Sequence, residues 1–411
     1  MIEILTIGNE ILSGKIVNTN LSFIAKALNR YGYQLSYQST VSDHKSAIQE
    51  GLKLALSRAD VIITTGGLGP TLDDLTKEAC SEFFHKPCYL HPKIYQDLRS
   101  RYGDKLSSLE NQATVPRDTE LMENKVGTAP GFIFSHFNQR IYILPGVPSE
   151  MELMLCEQVL PDLLKHFPKE PDFLKKSYYF CHLSENALDP LLRKIQSQYP
   201  KLNIGIYPGY GLLGVEVFSD KNMPGLEELL DSCFEKEFGS YLFSTGHSSL
   251  AQAVQAKMVD LQKTLFLAES CTGGKVAATL VSQAGSSKYF QGSCVVYSDE
   301  LKNKILGVSK ESIKSHGAVS FEVVKQMLVG SLQLTQADYI LAVSGIAGPD
   351  GGTEDKPVGT VVCGLLDKKG PMFVWKIAAK GKGKRENVIE YTTQYILGAL
   401  WRYVAYQINP S

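Results

Sequence analysis

Residues 264–275 read TLFLAESCTGGK, a run that passes from a strand through a glycine-rich turn towards a helix. The first five residues, Thr264–Ala268, are short, mostly apolar and followed by polar residues, which predicts a buried strand. Ser270 then lies where the strand passes into the helix. Further strands are predicted at residues 294–297, 339–343, 360–366 and 373–377, and a last helix at about 385–403. This alternation predicts a doubly wound α/β domain from about Leu250 onward.

The first ~165 residues show the same alternation. Strands are predicted at residues 2–7, 34–41, 60–65 and 140–144. Helices are predicted at 21–31, around Ile48, Leu52 and Leu56, and from about Ser149. Strands that alternate with helices imply a parallel sheet covered on both faces.

Two boundaries are predicted between these regions. Pro161, Pro168 and Pro171 interrupt the first pattern within a charged stretch, and residues 241–249 form the second boundary. Between them, residues 177–181 and 214–218 predict strands, and 187–198 and 226–238 predict helices. The predicted domains are therefore 1–168, 172–245 and 249–411, which suits the length of 411 residues.

Composition narrows the classes of function and location. A net charge of -1 gives no global field towards nucleic acid or anionic membranes. The start of the chain predicts a strand instead of a signal peptide, and no apolar run is long enough to span a bilayer, so we expect a cytoplasmic protein. The eight cysteines are irregularly spaced and lack a Cys-x-x-Cys pair, which favours free thiols over disulfides or a zinc site.

A glycine turn in the N-terminal region is a candidate phosphate site. The predicted strand at 60–65 leads directly into Gly66, Gly67 and Gly69. Small glycines let backbone N–H groups approach a phosphate at the start of a helix. No Gly-Lys-Ser/Thr follows, so the turn is not a Walker A loop. A second glycine cluster at 127–132 and the turn at 144–151 are candidates to close the same pocket.

Three carboxylates near this turn are candidate metal ligands. Asp73 and Asp74 are predicted in the first helical turn, and Glu10 follows the first strand. Carboxylate oxygens suit a divalent cation held against a diphosphate. Alternatively, the aspartates stabilise the helix dipole and Glu10 is a solvated loop charge.

Ser270 is either a nucleophile or an ordinary helix N-cap. In the first case, the backbone N–H groups of Thr272, Gly273 and Gly274 face an oxyanion or a phosphate. Cys271 is a rival nucleophile, although no histidine is nearby in the sequence, and a buried packing thiol is the alternative.

Tyr297 and Lys302 are the candidate partners of Ser270. Tyr297 is predicted at the end of a strand and Lys302 in the first turn of the next helix. A serine with a lysine suggests acyl transfer in which a neutral amine is the base. That role needs a lysine pKa about three below its ordinary value, equivalent to about 4 kcal/mol, which burial beside a tyrosine favours. The alternative is a surface lysine.

A third glycine-rich loop, at 344–353, follows the predicted strand at 339–343. Its candidate substrate-binding residues are Gly345, Ala347 and Gly348. Since three strand-end loops meet at the same edge of a doubly wound sheet, we expect them to form one site. A flexible connector is the alternative.

The chain resembles the competence/damage-inducible protein CinA family along nearly its whole length. The N-terminal motifs that carry the resemblance are 65–71 (TGGLGPT), 73–76 (DDLT), 111–113 (NQA), 127–132 (GTAPGF) and 144–151 (LPGVPSEM). The C-terminal ones are 268–274 (AESCTGG), 297–298 (YS), Lys302, 307–308 (GV), 317–320 (GAVS), 344–349 (SGIAGP) and 356–359 (KPVG).

The resemblance implies an N-terminal three-layer molybdopterin-binding-like domain, a small KH-like α+β middle domain and a C-terminal three-layer α/β deamidase domain. It implies that the C-terminal domain converts nicotinamide mononucleotide to nicotinic acid mononucleotide and ammonia without a cofactor. Ser270 is then the catalytic hydroxyl, assisted by Tyr297 and Lys302. It also implies a metal-dependent ADP-ribose pyrophosphatase in the N-terminal domain, and a homodimer.

Three positions depart from the family pattern. Leu72 stands in place of the usual histidine, Ser293 in place of a glycine, and Ile389 in place of the second arginine of a pair. Arg385 is therefore the remaining candidate for binding the mononucleotide phosphate.

Two other classes of function stay open, which are a pterin-handling transferase and a non-catalytic adaptor in competence or recombination. Direct contact with nucleic acid is not expected.

Overall fold

The computed structural model describes residues 1–103, 108–168, 173–219, 223–246, 249–379 and 384–410. The chain divides into two compact units, Met1–Pro171 (unit 1) and Asp172–Ser411 (unit 2). Both units are α/β, as the sequence predicts.

The main sheet of unit 1 has the strand order β2-β1-β3-β8-β7-β6 among the described residues. The strands of the unit are β1 (Ile2–Ile7), β2 (Tyr37–Val41), β3 (Val61–Thr65), β4 (Cys88–Leu90), β5 (Thr114–Pro116), β6 (Glu120–Met122), β7 (Gly131–His136) and β8 (Gln139–Leu144). Strands β2, β1, β3 and β8 are parallel, but β7 and β6 are antiparallel. The prediction of a wholly parallel sheet is therefore wrong at this edge. Only two residues join β7 to β8, too few for the crossover that parallel strands need.

Helices cover both faces of this sheet. They are α1 (Asn9–Leu12), α2 (Thr19–Arg30), α3 (Lys45–Leu56), α4 (Thr76–Phe83), α5 (Pro92–Tyr102), α6 (Leu109–Ala113), α7 (Pro148–Met154) and α8 (Leu160–His166), with a π-helical segment, Leu155–Val159, between the last two. Ile4 packs with Ile24 of α2 on one face, whereas Leu5 packs with Ile48 of α3 on the other. The alternation along β1 thus feeds two cores and gives three layers.

Unit 2 begins with a small antiparallel sheet of order β10-β11-β9-β12. Its strands are β9 (Leu174–Cys181), β10 (Asn203–Pro208), β11 (Leu212–Ser219) and β12 (Leu242–Thr245), and its helices are α9 (Glu185–Gln198) and α10 (Leu226–Phe238). Both helices were predicted, but β10 and β12 were not. Strand β12 lies inside the segment predicted as the second boundary.

The larger sheet of unit 2 has the order β14-β13-β15-β16-β17. Its strands are β13 (Leu265–Glu269), β14 (Phe290–Val295), β15 (Tyr339–Gly345), β16 (Thr360–Asp367) and β17 (Met372–Ala378). Its helices are α11 (Leu250–Asp260), α12 (Lys275–Val281), α13 (Asp299–Leu306), α14 (Lys310–His316), α15 (Phe321–Thr335) and α16 (Arg385–Tyr406). Strands β14, β13 and β15 pair in parallel, whereas the pairs β15–β16 and β16–β17 are antiparallel. Residues 346–359 between β15 and β16 form a loop without the crossover helix that parallel neighbours need, and only four residues join β16 to β17.

The two faces of β13 point into different cores. Leu265 and Leu267 pack in the core that includes α11 and α16, whereas Phe266 and Ala268 pack in the core that includes α13 and α15. Because side chains alternate along a strand, this pattern fixes the direction of the residues that follow.

The small sheet packs directly against α16. His182, just after β9, donates a hydrogen bond from Nε2 to the Tyr395 backbone oxygen at 2.8 Å. A Cβ at Gly398 would lie 2.9 Å from the same nitrogen, so this glycine permits the close approach. Phe243 of β12 meets Trp401 edge-to-face in the core shared with the larger sheet. Burial lowers the pKa of His182 to about 4, so the imidazole is neutral at pH 7 and donates to the carbonyl.

All eight cysteines are unpaired, which confirms the prediction of free thiols. Four are buried, three are half-buried and Cys156 is exposed. Among the helices that the structure describes, none has the length and apolar character needed to cross a bilayer.

Candidate functional sites

Ser270 lies directly after β13 at the carboxyl edge of the larger sheet. Its N–H donates to the Val343 oxygen at 3.1 Å, so the pairing with β15 continues to this residue. The alternation along β13 places its side chain on the face of Phe266 and Ala268, towards α13. The N-cap residue of α12 is Gly274, four positions later. The N-cap alternative for Ser270 is therefore wrong.

Lys302 lies on the face of α13 that packs against the sheet. It precedes Leu306 by four residues, and Leu306 belongs to the core of Phe266 and Ala268, so the two side chains share one helix face. Lys302 is 1% exposed, which excludes the surface-lysine alternative. Ser270 and Lys302 thus point into the same layer, between the sheet and α13.

The environment of Lys302 favours its neutral form. Its ammonium nitrogen donates to the Tyr297 backbone oxygen at 3.1 Å and lies 3.7 Å from Asp299 Oδ1. Burial lowers the pKa of Lys302, while the nearby Asp299 carboxylate and Cys271 thiol oppose that change. A lysine with a lowered pKa beside a serine hydroxyl is suited to general-base chemistry.

Tyr297 and Arg385 join two further segments at this edge. Strand β14 ends at Val295, so Tyr297 lies two residues beyond the strand that was predicted to end with it. Its hydroxyl accepts a hydrogen bond from Arg385 Nη2 at 2.8 Å. Arg385 Nη1 donates to the Gly348 oxygen at 2.9 Å. The arginine at the start of α16 thereby connects the loop after β14 with the loop after β15.

The glycine turn after Ser270 is held by Glu269, which corrects an expectation. Gly274 N–H donates to Glu269 Oε2 at 3.1 Å, and Gly273 N–H donates to the Ser270 oxygen at 3.1 Å. These two N–H groups are engaged within the turn and do not face a ligand. The N–H groups of Cys271 and Thr272 have no oxygen acceptor in the part of the chain that the structure covers.

The third loop packs tightly against the serine turn. A Cβ at Gly345 would lie 3.0 Å from Cys271 Sγ, and Ala347 is buried in the core that includes Cys271. Gly348 contributes its carbonyl oxygen to Arg385, as described above. Burial raises the pKa of Cys271 to about 12, so its thiol is protonated and is unsuited to be the nucleophile.

A second candidate site is a cleft of about 460 Å³ in unit 1. It brings together all six N-terminal residues singled out in the sequence, which are Glu10, Gly66, Gly67, Gly69, Asp73 and Asp74. Residues 128–129 of the second glycine cluster and 145–148 of the following turn also line it, as the sequence suggested.

Asp73 and Asp74 lie in the turn before α4. The helix begins at Thr76, so neither aspartate is in its first turn, which corrects the expected position. Asp74 Oδ2 accepts hydrogen bonds from Thr71 N at 2.9 Å and Thr71 Oγ1 at 2.6 Å. Asp73 also accepts from the Thr71 hydroxyl, and this bond lowers the pKa of the Asp73 carboxyl. Within the described ranges, no three His, Cys, Asp or Glu side chains are grouped closely enough to hold a metal ion.

Asp43 and Asn20 are polar residues of this cleft that were missed in the sequence, whereas Glu150 belongs to the 144–151 turn that was expected to close the pocket. Asp43 follows the carboxyl end of β2, a position that could have identified it. Glu150 accepts a hydrogen bond from Asn124 at 2.7 Å. Asn20 is 8% exposed and donates to the Gly146 oxygen at 2.8 Å, while its own Oδ1 has no partner among the residues described. No local sequence signal marks Asn20.

The fold and the two sites define a class, an α/β protein of two compact units with a strand-end site in each. The family model described as "CinA C-terminal domain" matches residues 247–404, and that described as "Probable molybdopterin binding domain" matches residues 3–165. A relative from Halothermothrix orenii is 36% identical over 99% of this chain and 99% of its own. A CinA-like protein from Desulfotalea psychrophila is 35% identical over 99% of this chain and 100% of its own.

A crystal structure of the protein CinA from Thermoplasma acidophilum is 34% identical, covering 39% of this chain and 96% of that one with a TM-score of 0.37. The chain belongs to the CinA family, as the full-length similarity to the two curated relatives shows.

Proposed function

We propose that unit 2 hydrolyses the carboxamide of nicotinamide mononucleotide to give nicotinic acid mononucleotide and ammonia. The observation that carries the proposal is a buried Lys302, with a lowered pKa, on the same face as Ser270. Ser270 is 6% exposed, and within the described ranges its hydroxyl donates no hydrogen bond that would compete with proton transfer to Lys302.

The reaction proceeds by acyl transfer. Neutral Lys302 accepts the proton of the Ser270 hydroxyl as its oxygen attacks the carboxamide carbon. The N–H groups of Cys271 and Thr272 stabilise the oxyanion, each donor contributing about 10²–10³-fold. Lys302 then returns the proton to the leaving nitrogen, and ammonia departs from the acyl-serine ester. Water attacks the ester with Lys302 again as the base, which releases the acid and restores Ser270.

Arg385 is the proposed partner of the substrate phosphate. Arg385 is an exposed residue, and its guanidinium donates to both Tyr297 and Gly348. A guanidinium binds phosphate through two parallel N–H bonds, which suits a mononucleotide. Tyr297 positions this arginine through its hydroxyl and leaves its ring, 57% exposed, beside the substrate.

Ammonia release from nicotinamide mononucleotide tests the proposal. We expect Ser270→Ala to remove activity and Cys271→Ala to retain it, because the thiol is buried and protonated. Full activity in the serine variant would refute the scheme, and its loss in the cysteine variant alone would indicate thiol chemistry. A serine that only holds a water for Lys302 would give no acyl-enzyme in a rapid-quench mass measurement.

For unit 1 we propose metal-dependent hydrolysis of the ADP-ribose diphosphate. The cleft joins a glycine turn that suits a phosphate to carboxylates with the hard oxygen donors that Mg²⁺ prefers. Asp73 and Asp74 would hold the ion, which usually keeps several waters and takes one or two carboxylates plus substrate phosphates. Such a set fits the lack of a three-residue cluster in the described part of the chain. The metal would neutralise charge on the diphosphate.

Release of AMP from ADP-ribose, with Mg²⁺ or Mn²⁺ supplied, tests this second proposal. We expect Asp73→Asn and Asp74→Asn to lower turnover, while Asp118→Asn, a surface change outside the cleft, leaves it unchanged. Intact metal-dependent turnover in both cleft variants would overturn the assignment.

Pterin binding is the competing proposal for the same cleft, because the matching family model is described by that activity. Calorimetric titration with molybdopterin separates the two.

We also propose a homodimer in the cytoplasm, without direct nucleic-acid contact; light scattering and cell fractionation test these points. An adaptor role in competence would leave partner binding unchanged in Ser270→Ala.

A further inference from the structure

The carboxylate of Glu269 is the most heavily hydrogen-bonded group at the candidate amidase site. It is 1% exposed, although it is the last residue of β13 and adjoins Ser270. Its Oε2 accepts from Thr272 Oγ1 at 2.8 Å, Gly274 N at 3.1 Å and Val276 N at 3.1 Å. Its Oε1 accepts from Ala277 N at 2.9 Å and Ser293 Oγ at 3.2 Å.

This arrangement replaces an N-cap for α12. The first N–H groups of a helix lack partners within it, and the N-cap residue here, Gly274, has no side chain to supply one. A negative charge near a helix N-terminus is also stabilising. Glu269 therefore fills the place that an anionic ligand could otherwise take at the start of α12.

We propose that Glu269 is a positioning residue for the amide hydrolysis, an inference that rests on the proposed function of unit 2. Glu269 binds both the turn and the first turn of α12, so residues 270–273 are fixed at both ends. Its side chain points to the α12 face, which directs Ser270 to the opposite face, towards Lys302. Among the residues described, the N–H groups of Cys271 and Thr272 have no oxygen acceptor, so they can donate hydrogen bonds to the oxyanion.

The Glu269 carboxylate and its hydrogen bonds to the turn and to α12 form a clamp. This clamp should act on the chemical step and not on substrate binding. Arg385, the proposed phosphate partner, starts α16 and has no hydrogen bond to Glu269 or its turn in the described ranges. Removing the clamp would therefore misplace the hydroxyl and the oxyanion donors while leaving the phosphate contact unchanged. A general loss of structure would instead reduce both.

The main experiment measures kcat and KM of the full-length chain for nicotinamide mononucleotide. We expect Glu269→Gln to lower kcat about 10–100-fold, less than or comparable to the loss of one oxyanion donor, with KM within about twofold. Ser293→Gly is the matched control, because it removes a donor to the same carboxylate that lies in β14, outside the turn and α12, and it should keep kcat within about twofold. An unchanged kcat in Glu269→Gln, or an equal loss in the control, would overturn the proposal.

A second variant and a second measurement keep the test decisive. Thr272→Val deletes one bond to Glu269 while keeping the backbone N–H, and we expect a smaller fall in kcat with unchanged KM. Amide hydrogen exchange in Glu269→Ala should become faster at Gly274, Val276 and Ala277, whatever the substrate. If the wild-type chain does not release ammonia, the proposed function fails, and this exchange alone decides whether the clamp exists. Unchanged exchange at all three amides would refute it.

Discussion

Replacing Lys302 with methionine should lower activity and raise stability together. The linear thioether keeps the shape of the buried chain and removes the amine. Lys302 is 1% exposed, and its amine donates a hydrogen bond to the Tyr297 backbone oxygen and lies 3.7 Å from Asp299 Oδ1. Its lowered pKa means that burial disfavours the charge more than these contacts favour it.

The loss of activity follows from the proposed role of Lys302 as general base. Such a base contributes about 10²–10⁴-fold, so kcat for nicotinamide mononucleotide should fall by that factor, or about 2.7–5.4 kcal/mol of barrier. KM should change little because the substitution leaves Arg385, the proposed phosphate partner, unchanged. Ammonia release under saturating substrate measures the first quantity, and its substrate dependence measures the second.

The gain in stability follows from proton linkage. The unfolded chain binds the Lys302 proton more tightly than the folded one, so stability rises with pH between the lowered pKa and the ordinary value. Below the lowered pKa the penalty is fully present. Removing the amine should therefore stabilise unit 2, seen as a higher Tm for Lys302→Met than for the wild type at pH 7.

Lys304→Met is the control for both effects. Lys304 lies on the same helix with its side chain 66% exposed and paired with Glu300, so kcat and Tm should stay near those of the wild type. If Lys302→Met hydrolyses the substrate at the wild-type rate, the amine is not the base. If it is strongly destabilised instead, the lysine is a structural group and the reasoning from burial fails.

Three further outcomes are expected. The pH profile of kcat/KM should have an ascending limb as Lys302 loses its proton at a pH below the ordinary lysine value, and this limb should disappear in Lys302→Met. Arg385→Met should raise KM for the mononucleotide about 10–100-fold, the usual range for a charge-assisted hydrogen bond, with kcat nearly constant; an unchanged KM would remove Arg385 from the phosphate site. Gly330→Ala should destabilise unit 2 by about 1–3 kcal/mol in urea denaturation, because its Cβ would lie 1.9 Å from the Leu306 oxygen at the end of α13, and an unaffected midpoint would contradict this packing.

The long elements were predictable because their patterns are local. Strand β13 has a short apolar run before polar residues, and α9 and α10 show helical spacing, so both kinds of element were assigned from the sequence. Strand β10 was missed because it is an edge strand that lacks a buried residue and contains a glycine and a terminal proline. The four residues of β12 are too few to show a period.

The candidate sites were predictable in outline but not in detail. Strand-end positions identified Ser270 and the glycine turn of unit 1, because ligands meet the carboxyl ends of parallel strands. The hydrogen bond from Gly274 N–H to Glu269 was not predictable, because it depends on the direction of the Glu269 side chain. The contact between Tyr297 and Arg385 joins residues 88 positions apart. Asn20 is placed by its bond to the Gly146 oxygen, which no local pattern encodes.

The close packing of the small sheet on α16 limits how this chain can be shortened. A fragment that starts at Ser249 would lack Phe243, which packs against Trp401, and His182, which packs against Gly398. The surface of α16 around these two residues would then be exposed to solvent. An exposed aromatic surface promotes self-association. Such a fragment should therefore precipitate unless polar side chains replace the apolar ones on this surface of α16. A protein built from the larger sheet and its helices alone would therefore need a more polar surface on its last helix.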